Sequence, residues 1–325
     1  MGPERAQREA KAELIMDAIA KIGIDAMTVG DAEFAFGKDF LLANAQSRNL
    51  PYLCANLIDP ITGQRVFPAT RLKDVGGIKV GIVGLTREGL KAEGLQVLPS
   101  IPAAKEAVAE LKAQGASLLV ALSNQTTAVN EQLAREVPEL DLIVVGSVRQ
   151  KLDSPNQVGN ALILEAGNRG KFVGILDMSL RAGVRGWYDP GAAQRGEEKV
   201  VRFQERLASL EERITQTADG REKDRLQKQL EFYQSELQKA RGGKVKGGQV
   251  NTFVHDQVAL SRSVADDPSI HTLVGNALKG MENSMAEPAH TTERVPEPAA
   301  SAHGKFVGAK TCMGCHSSEY QQWST

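Results

Sequence analysis

The feature that most constrains the fold of this chain is an alternation of two apolar periods. Short runs rich in Val, Ile and Leu at 78–84, 117–122 and 141–145 are separated by stretches at 102–114 and 127–136 whose apolar residues recur every three to four positions. A continuous apolar run of this length suits a strand buried on both faces, and a period near 3.6 suits a helix laid against it. Strands that alternate with helices build a layered α/β domain. Nearer the N-terminus, Leu14, Ile15, Ala18, Ile19 and Ile22 share one helical face within 4–22, and Ile24–Val29 predicts a short buried strand ending in a turn at Gly30. A further helix is expected over 38–48 and a strand over 52–56; 161–165 and 172–180 read as two strands in tandem, as at a sheet edge.

With 325 residues, 42% of them hydrophobic, the chain can bury the core of one medium domain with appendages. Lys and Arg total 39 against 40 Asp and Glu, and no basic stripe is interleaved with aromatics, which argues against nucleic acid as a partner. No apolar run approaches the roughly 20 residues that span a bilayer.

From 197 to 241 the pattern changes. Phe203, Leu207, Leu210 and Ile214 repeat at 4-3-4 spacing, as do Leu226, Leu230, Tyr233 and Leu237, with a break at Thr217–Gly220. This predicts a charged antiparallel helical hairpin, of coiled-coil type, whose arms bury each other; the alternative is an oligomerisation or docking arm. Gly242–Gly248 reads as a flexible connector without the Gly-Lys-Ser/Thr order of a phosphate loop. Helical patterning is expected over 253–285. Residues 286–302, rich in Ala, Pro and Glu, cannot form a core and read as a linker, its ends roughly 20–25 Å apart.

Near the end stands Cys312-Met313-Gly314-Cys315-His316. Two thiols one helical turn apart, followed by an imidazole, form the pattern that holds haem c covalently, with His316 against one axial face of the iron. A zinc knuckle would need about four ligands, and the third cysteine, Cys54, is far away. A thioredoxin-like pair would follow a strand, not a Pro/Ala-rich stretch. His303 is the candidate second axial ligand, with His290 also in the linker; His255 and His271 lie in helical patterns. The run Phe306-Val307-Gly308-Ala309, the motif, and Glu319-Tyr320 with Trp323 resemble the first haem site of multihaem c-type cytochromes of the tetrahaem and cytochrome c-prime-like kind. Residues 1–11 contain no apolar signal region, whereas haem c attachment is completed outside the bacterial cytoplasm; the expectation is a periplasmic or extracellular protein whose signal peptide lies upstream.

Four segments of the α/β region carry a second resemblance. Ile24–Gly37, Leu50–Leu57, Gly77–Thr86 and Glu165–Lys171 occur in the order found in the 5′-nucleotidase family of calcineurin-like metallophosphoesterases. The resemblance covers about residues 12–180, and 256–282 is similar to the helices that close that domain. It implies a two-metal site that makes a bridging hydroxide. It also implies ligands from an Asp-x-His, a Gly-Asn-His, a strand-end His and a Gly-His-x-His. Here Asp-x-His is absent, and its strand would precede residue 1; Gly-Asn-His-Glu is Gly30-Asp31-Ala32-Glu33; the strand-end His is Asn124; and the last motif is Gly146-Ser147-Val148-Arg149. All five histidines lie at or beyond 255. Asp31 and Asn124 are vestigial metal positions, divalent metal is not expected, and Asp31 and Glu33 read as turn residues capping the next helix.

The combined reading is a layered metallophosphoesterase-like α/β sandwich over 1–196, a helical hairpin over 197–241, a connector and closing helices over 242–285, a linker over 286–302 and the start of a cytochrome module over 303–325. Its expected function is electron transfer by an exported c-type cytochrome to a redox partner protein, with a catalytically silent scaffold. The alternatives are a metal-dependent phosphoesterase with an altered metal set, or a cleft that binds a ligand without turnover.

Overall fold

The structure is a computed structural model that describes residues 3–146, 152, 154–167, 170–217, 219–242 and 250–286. Cys312, Cys315, His316, His303 and His290 lie outside the described residues, as do Ser147–Arg149, Gly243–Gln249 and the linker. The chain divides into two units, residues 1–274 and 275–325, and every strand among the described residues falls in the first.

In chain order the elements are α1 (Pro3–Ile22), a single 3-10 turn at Ala32–Phe34, α2 (Lys38–Ser47), β1 (Leu57–Ile58), β2 (Thr70–Val75), β3 (Ile78–Leu85) and β4 (Gln96–Val97). Then come α3 (Ser100–Ala113), β5 (Leu118–Ser123), α4 (Thr127–Glu136), β6 (Leu142–Val145), β7 (Asn156–Val158), β8 (Ala161–Glu165), β9 (Phe172–Ser179) and β10 (Trp187–Tyr188). They are followed by α5 (Ala192–Gln216), α6 (Gly220–Gly242), β11 (Asn251–Ala259) and α7 (Pro268–Ala286), the last of which runs across the division between the units.

Six strands form the main sheet in the order β2-β3-β5-β6-β8-β7. The four central ones are mutually parallel, and β2 and β7 run antiparallel at the edges. The parallel strands are the apolar runs read from the sequence, because a strand covered on both faces has no solvent side to make polar. Leu119, Ala121, Ile143 and Ile163 point to one face, where they meet Leu111 of α3 and Leu133 of α4. Their alternate neighbours Leu118, Leu142 and Leu162 point to the other, where Trp187 and Phe253 cover them. A third cluster, with Met16, Val29, Leu41, Tyr52, Cys54 and Leu57, joins α1 and α2 to the segment that leads into β1.

Three expectations need correction. Residues 253–259, expected to be helical, belong to β11, which pairs along its length with β9 and next to β10. Thr252, Val254 and Val258 are β-branched, and Phe253 is carried onto the apolar core only by an alternating strand. His255 therefore stands on a strand, whereas His271 lies on α7. Second, β8 and β9 are not neighbours at one sheet edge: β8 belongs to the six-stranded sheet and β9 to a three-stranded sheet ordered β10-β11-β9. Third, 24–29 and 52–56 do not make full strands. They meet in one parallel bridge, Met27 with Tyr52. The chain then turns its donors elsewhere, Cys54 N–H to Pro68 O and Ala55 N–H to Gly84 O, both at 2.8 Å. At Gly84 this approach is so close that an added Cβ would lie 2.0 Å from the Leu53 carbonyl oxygen.

Candidate functional site

The carboxyl ends of β3, β5 and β6 lie together, which is where an open parallel sheet presents its binding crevice. A cavity of about 430 Å³ opens there, lined by Thr28, Asp31, Glu33, Arg87, Ser123 and Asn124, with Gly30 and Gly146 at its edge. Asp31 and Asn124, the two positions at which the resemblance expects metal ligands, are thus brought to one cavity.

The Asp31 carboxylate does not cap the 3-10 turn that follows it. It accepts a hydrogen bond from the Arg87 guanidinium, Nη2 to Oδ1 at 2.9 Å, and its Oδ2 forms an ion pair with Arg87 Nε at 2.8 Å. This forked pairing is the geometry in which Arg recognises a carboxylate most specifically. Both side chains are about half exposed, so the pair contributes no more than about 1 kcal/mol to stability. Glu33 does serve the turn: its Oε2 accepts the N–H of Gly30, the residue before the cap position, at 2.8 Å. A Cβ at Gly30 would press on the Asn124 amide, so a larger residue there would displace the Asn124 side chain.

The loop after β5 is held by a buried polar network. Ser123 Oγ donates to Asn130 Oδ1 at 2.6 Å and accepts the Gln125 N–H, while Gln125 Nε2 donates to the Thr86 carbonyl at 2.6 Å. The Thr86 N–H in turn donates to Asn56 Oδ1 at 2.9 Å, and Asn56 Nδ2 donates back to the Thr86 carbonyl at 2.8 Å. Asn56, Thr86 and Asn130 are fully buried, so these bonds stand in for hydration lost on folding and fix where Arg87 and Asn124 emerge. Glu165 sits buried at the end of β8, paired in register with Val145, and desolvation raises the pKa of its carboxyl.

Among the described residues the lining donors are few for a two-metal centre. Asp31 is paired with a cation that also repels a metal ion, Asn124 offers a neutral oxygen, and none of the described lining residues is a histidine. Among the described residues no three His, Cys, Asp or Glu side chains gather as a metal-binding group. Arg87 was not anticipated from the sequence. The available signal was its position, two residues beyond a parallel strand, where α/β sheets place functional side chains.

Comparison with known proteins agrees with this architecture. The chain is 30% identical to a 5′-nucleotidase of Vibrio cholerae over 209 residues, covering 53% of this chain and 38% of that protein. It is 28% identical to endonuclease YhcR of Bacillus subtilis over 204 residues, covering 54% and 16%. Sulfate thiohydrolase SoxB of Thermus thermophilus superposes with a TM-score of 0.51 at 25% identity, over 54% of this chain and 33% of that one. The calcineurin-like phosphoesterase YfkN of Bacillus subtilis shares the fold over 87% of this chain and 81% of its own, with a TM-score of 0.55 at 15% identity. No family model matches the chain. It spans about two fifths of the length of the Vibrio 5′-nucleotidases it matches. The first unit therefore has the calcineurin-type metallophosphoesterase fold. Its sequence relatives include 5′-nucleotidases.

Proposed function

We propose that this chain is a c-type cytochrome that transfers electrons outside the cytoplasm and carries a metallophosphoesterase-type scaffold without hydrolytic function. The observation that carries the proposal is the Cys312-Met313-Gly314-Cys315-His316 motif. Its donor set fits haem c, since the two thiols would hold the porphyrin and His316 would ligate the iron. When bound, the haem supplies one-electron chemistry. The scaffold reading draws support from the cleft, where Arg87 occupies the carboxylate that a metal would need. Export follows from where haem c attachment is completed; among the described residues no helix is long and apolar enough to cross a membrane.

Expression with a c-type maturation system tests the haem. A covalent haem band should survive denaturing electrophoresis, and Cys315→Ala should greatly reduce it. Wild-type chain without that band would end the electron-transfer reading.

A second reading, a metal-dependent phosphoesterase, is favoured by one observation: the curated relatives bear the names of nucleotidases and a nuclease, and the cleft is open. On the scaffold reading, the full chain should hydrolyse a phosphomonoester no faster with added manganese or zinc than without. Metal-dependent turnover that is lost in Asp31→Ala would establish the second reading instead.

A further inference from the structure

The helical hairpin carries a segregated charge that its packing does not require. On α5, Arg202, Arg206 and Arg213 recur at spacings of four and seven and so share one flank of the helix. At 100° per residue, Glu211 and Glu212 fall on other faces, while Glu198 and Glu205 border the flank near Arg202, away from the groove lined by Arg206 and Arg213. On α6, Arg221 and Arg225 lie four apart on the flank that faces the same groove. Four of these guanidiniums, from Arg206, Arg213, Arg221 and Arg225, line a single cavity of about 510 Å³ floored by Leu226. Glu222 also lines the cavity, 3.8 Å from Arg213, and Arg206 lies over the Tyr233 ring at 5.9 Å from its centroid. Among the described residues Arg221 and Arg225 have no carboxylate within ion-pair distance. Seven residues beyond Arg225, on the same flank, Phe232 is 59% exposed.

Buried Leu210 and Leu226 hold the arms together, so the flank is free to do something else. Like charges gathered along one groove repel each other and raise the energy of the free hairpin, a cost that an anionic partner would relieve. The basic groups are spread over twelve residues of α5, about 16 Å along its axis, rather than converging on one point. A single phosphate would meet one or two of them. A long nucleic acid is opposed by Glu222 in the groove and by the chain's lack of net positive charge. Arginines flanked by an exposed aromatic have the composition of protein interface hot spots. We infer that this flank of the hairpin docks an acidic amphipathic segment of a partner protein. The partner's carboxylates pair with Arg206, Arg213, Arg221 and Arg225, and an apolar side chain covers Phe232.

The probe is a labelled helical peptide with Glu at i, i+4, i+7 and i+11 and Leu on the adjoining stripe, titrated into the full chain by fluorescence anisotropy. Binding should weaken steeply as ionic strength rises from about 0.02 to about 0.2 M, because the contacts are surface charges. The same peptide with Gln for Glu, and the double variant Arg221→Glu/Arg225→Glu with the original peptide, should each bind at least about tenfold more weakly. Circular dichroism should show unchanged helicity in that variant, since neither arginine carries an ion pair; if helicity falls, Arg221→Gln/Arg225→Gln replaces it, with the same expected loss. The inference is overturned by the absence of binding at millimolar peptide, by equal binding of the Gln peptide, or by binding that the variants leave unchanged. Tighter binding of polyphosphate or a single-stranded oligonucleotide at the same groove also overturns it.

Discussion

Cys54 lies beneath the cleft with none of its surface exposed, and burial pushes its thiol up to about 11. Backbone hydrogen bonding at Asn56, Thr86 and Leu57 offsets this only in part. Tyr52, on the same segment, is raised as well, by burial first and then by the charge of Glu33. Because folded Cys54 keeps its proton where the unfolded chain has lost it, this residue's contribution is fully present below about pH 9 and disappears as pH rises to about 11. The loss is on the order of 2–3 kcal/mol. Urea unfolding of Cys54→Ser and of the unaltered chain across pH 8 to 11 checks this. The stability difference between the two should shrink as pH rises, and a constant difference would contradict it. Native chain should also leave Cys54 unalkylated by iodoacetamide at pH 8, since only the thiolate reacts.

At the scale of elements, the hairpin is the clearest self-contained piece. The 25 residues of α5 and 23 of α6 pack mainly on each other, with Leu210 and Leu226 buried and the Phe203 ring tilted against Tyr233 at 5.9 Å between centroids. A break of a few residues forces the arms antiparallel. The heptad spacing made this arrangement readable in advance, because two facing stripes of one chain have each other as the nearest apolar surface. Replacing 192–242 with a short Gly/Ser link should leave the α/β sheet folded, with a melting temperature within about 5 °C of the full chain and the same resistance to trypsin outside the deletion. Rapid cleavage within 78–165, or a dimer converted to monomer, would show that the hairpin belongs to the core or to an oligomer interface.

Over the whole molecule, the sheet that supports the cleft is closed by a segment that returns after the hairpin. Phe253 of β11 packs edge-on to Trp187 at 6.2 Å, over Leu118, Leu142 and Leu162 on the back of the main sheet. Ending the chain after residue 242 should therefore cost several kcal/mol, on the scale of about 3–5 kcal/mol for a lost large aromatic in a core. The expected signs are ANS binding and a melting temperature lowered by at least about 10 °C, in contrast to the hairpin deletion. Equal stability of the two truncations would contradict the topology.

Much of this architecture was legible because it rests on local pattern. Runs such as Leu118–Ser123 and Leu142–Val145 need apolar side chains on both faces, and α3 and α4 need one apolar stripe, so their periods appear in the sequence itself. The order of motifs from Ile24 to Lys171 likewise carried the fold resemblance. What had to wait for the tertiary structure depends on partners far along the chain. Asn251–Ala259 is a strand because β9 lies beside it, and a nine-residue segment with mixed pattern does not announce a ladder partner more than 70 positions away. Arg87 meets Asp31 for the same reason: nothing local relates the end of β3 to the turn after Gly30 until the sheet brings them to one cleft. The sequence by itself determined the alternation of layers, the self-packed hairpin and the Cys-x-x-Cys-His motif, because each is a matter of spacing along the chain. Only the folded molecule decided which carboxylate is paired, which strand closes the core and which of the hairpin's arginines line one groove, because those follow from distances in space.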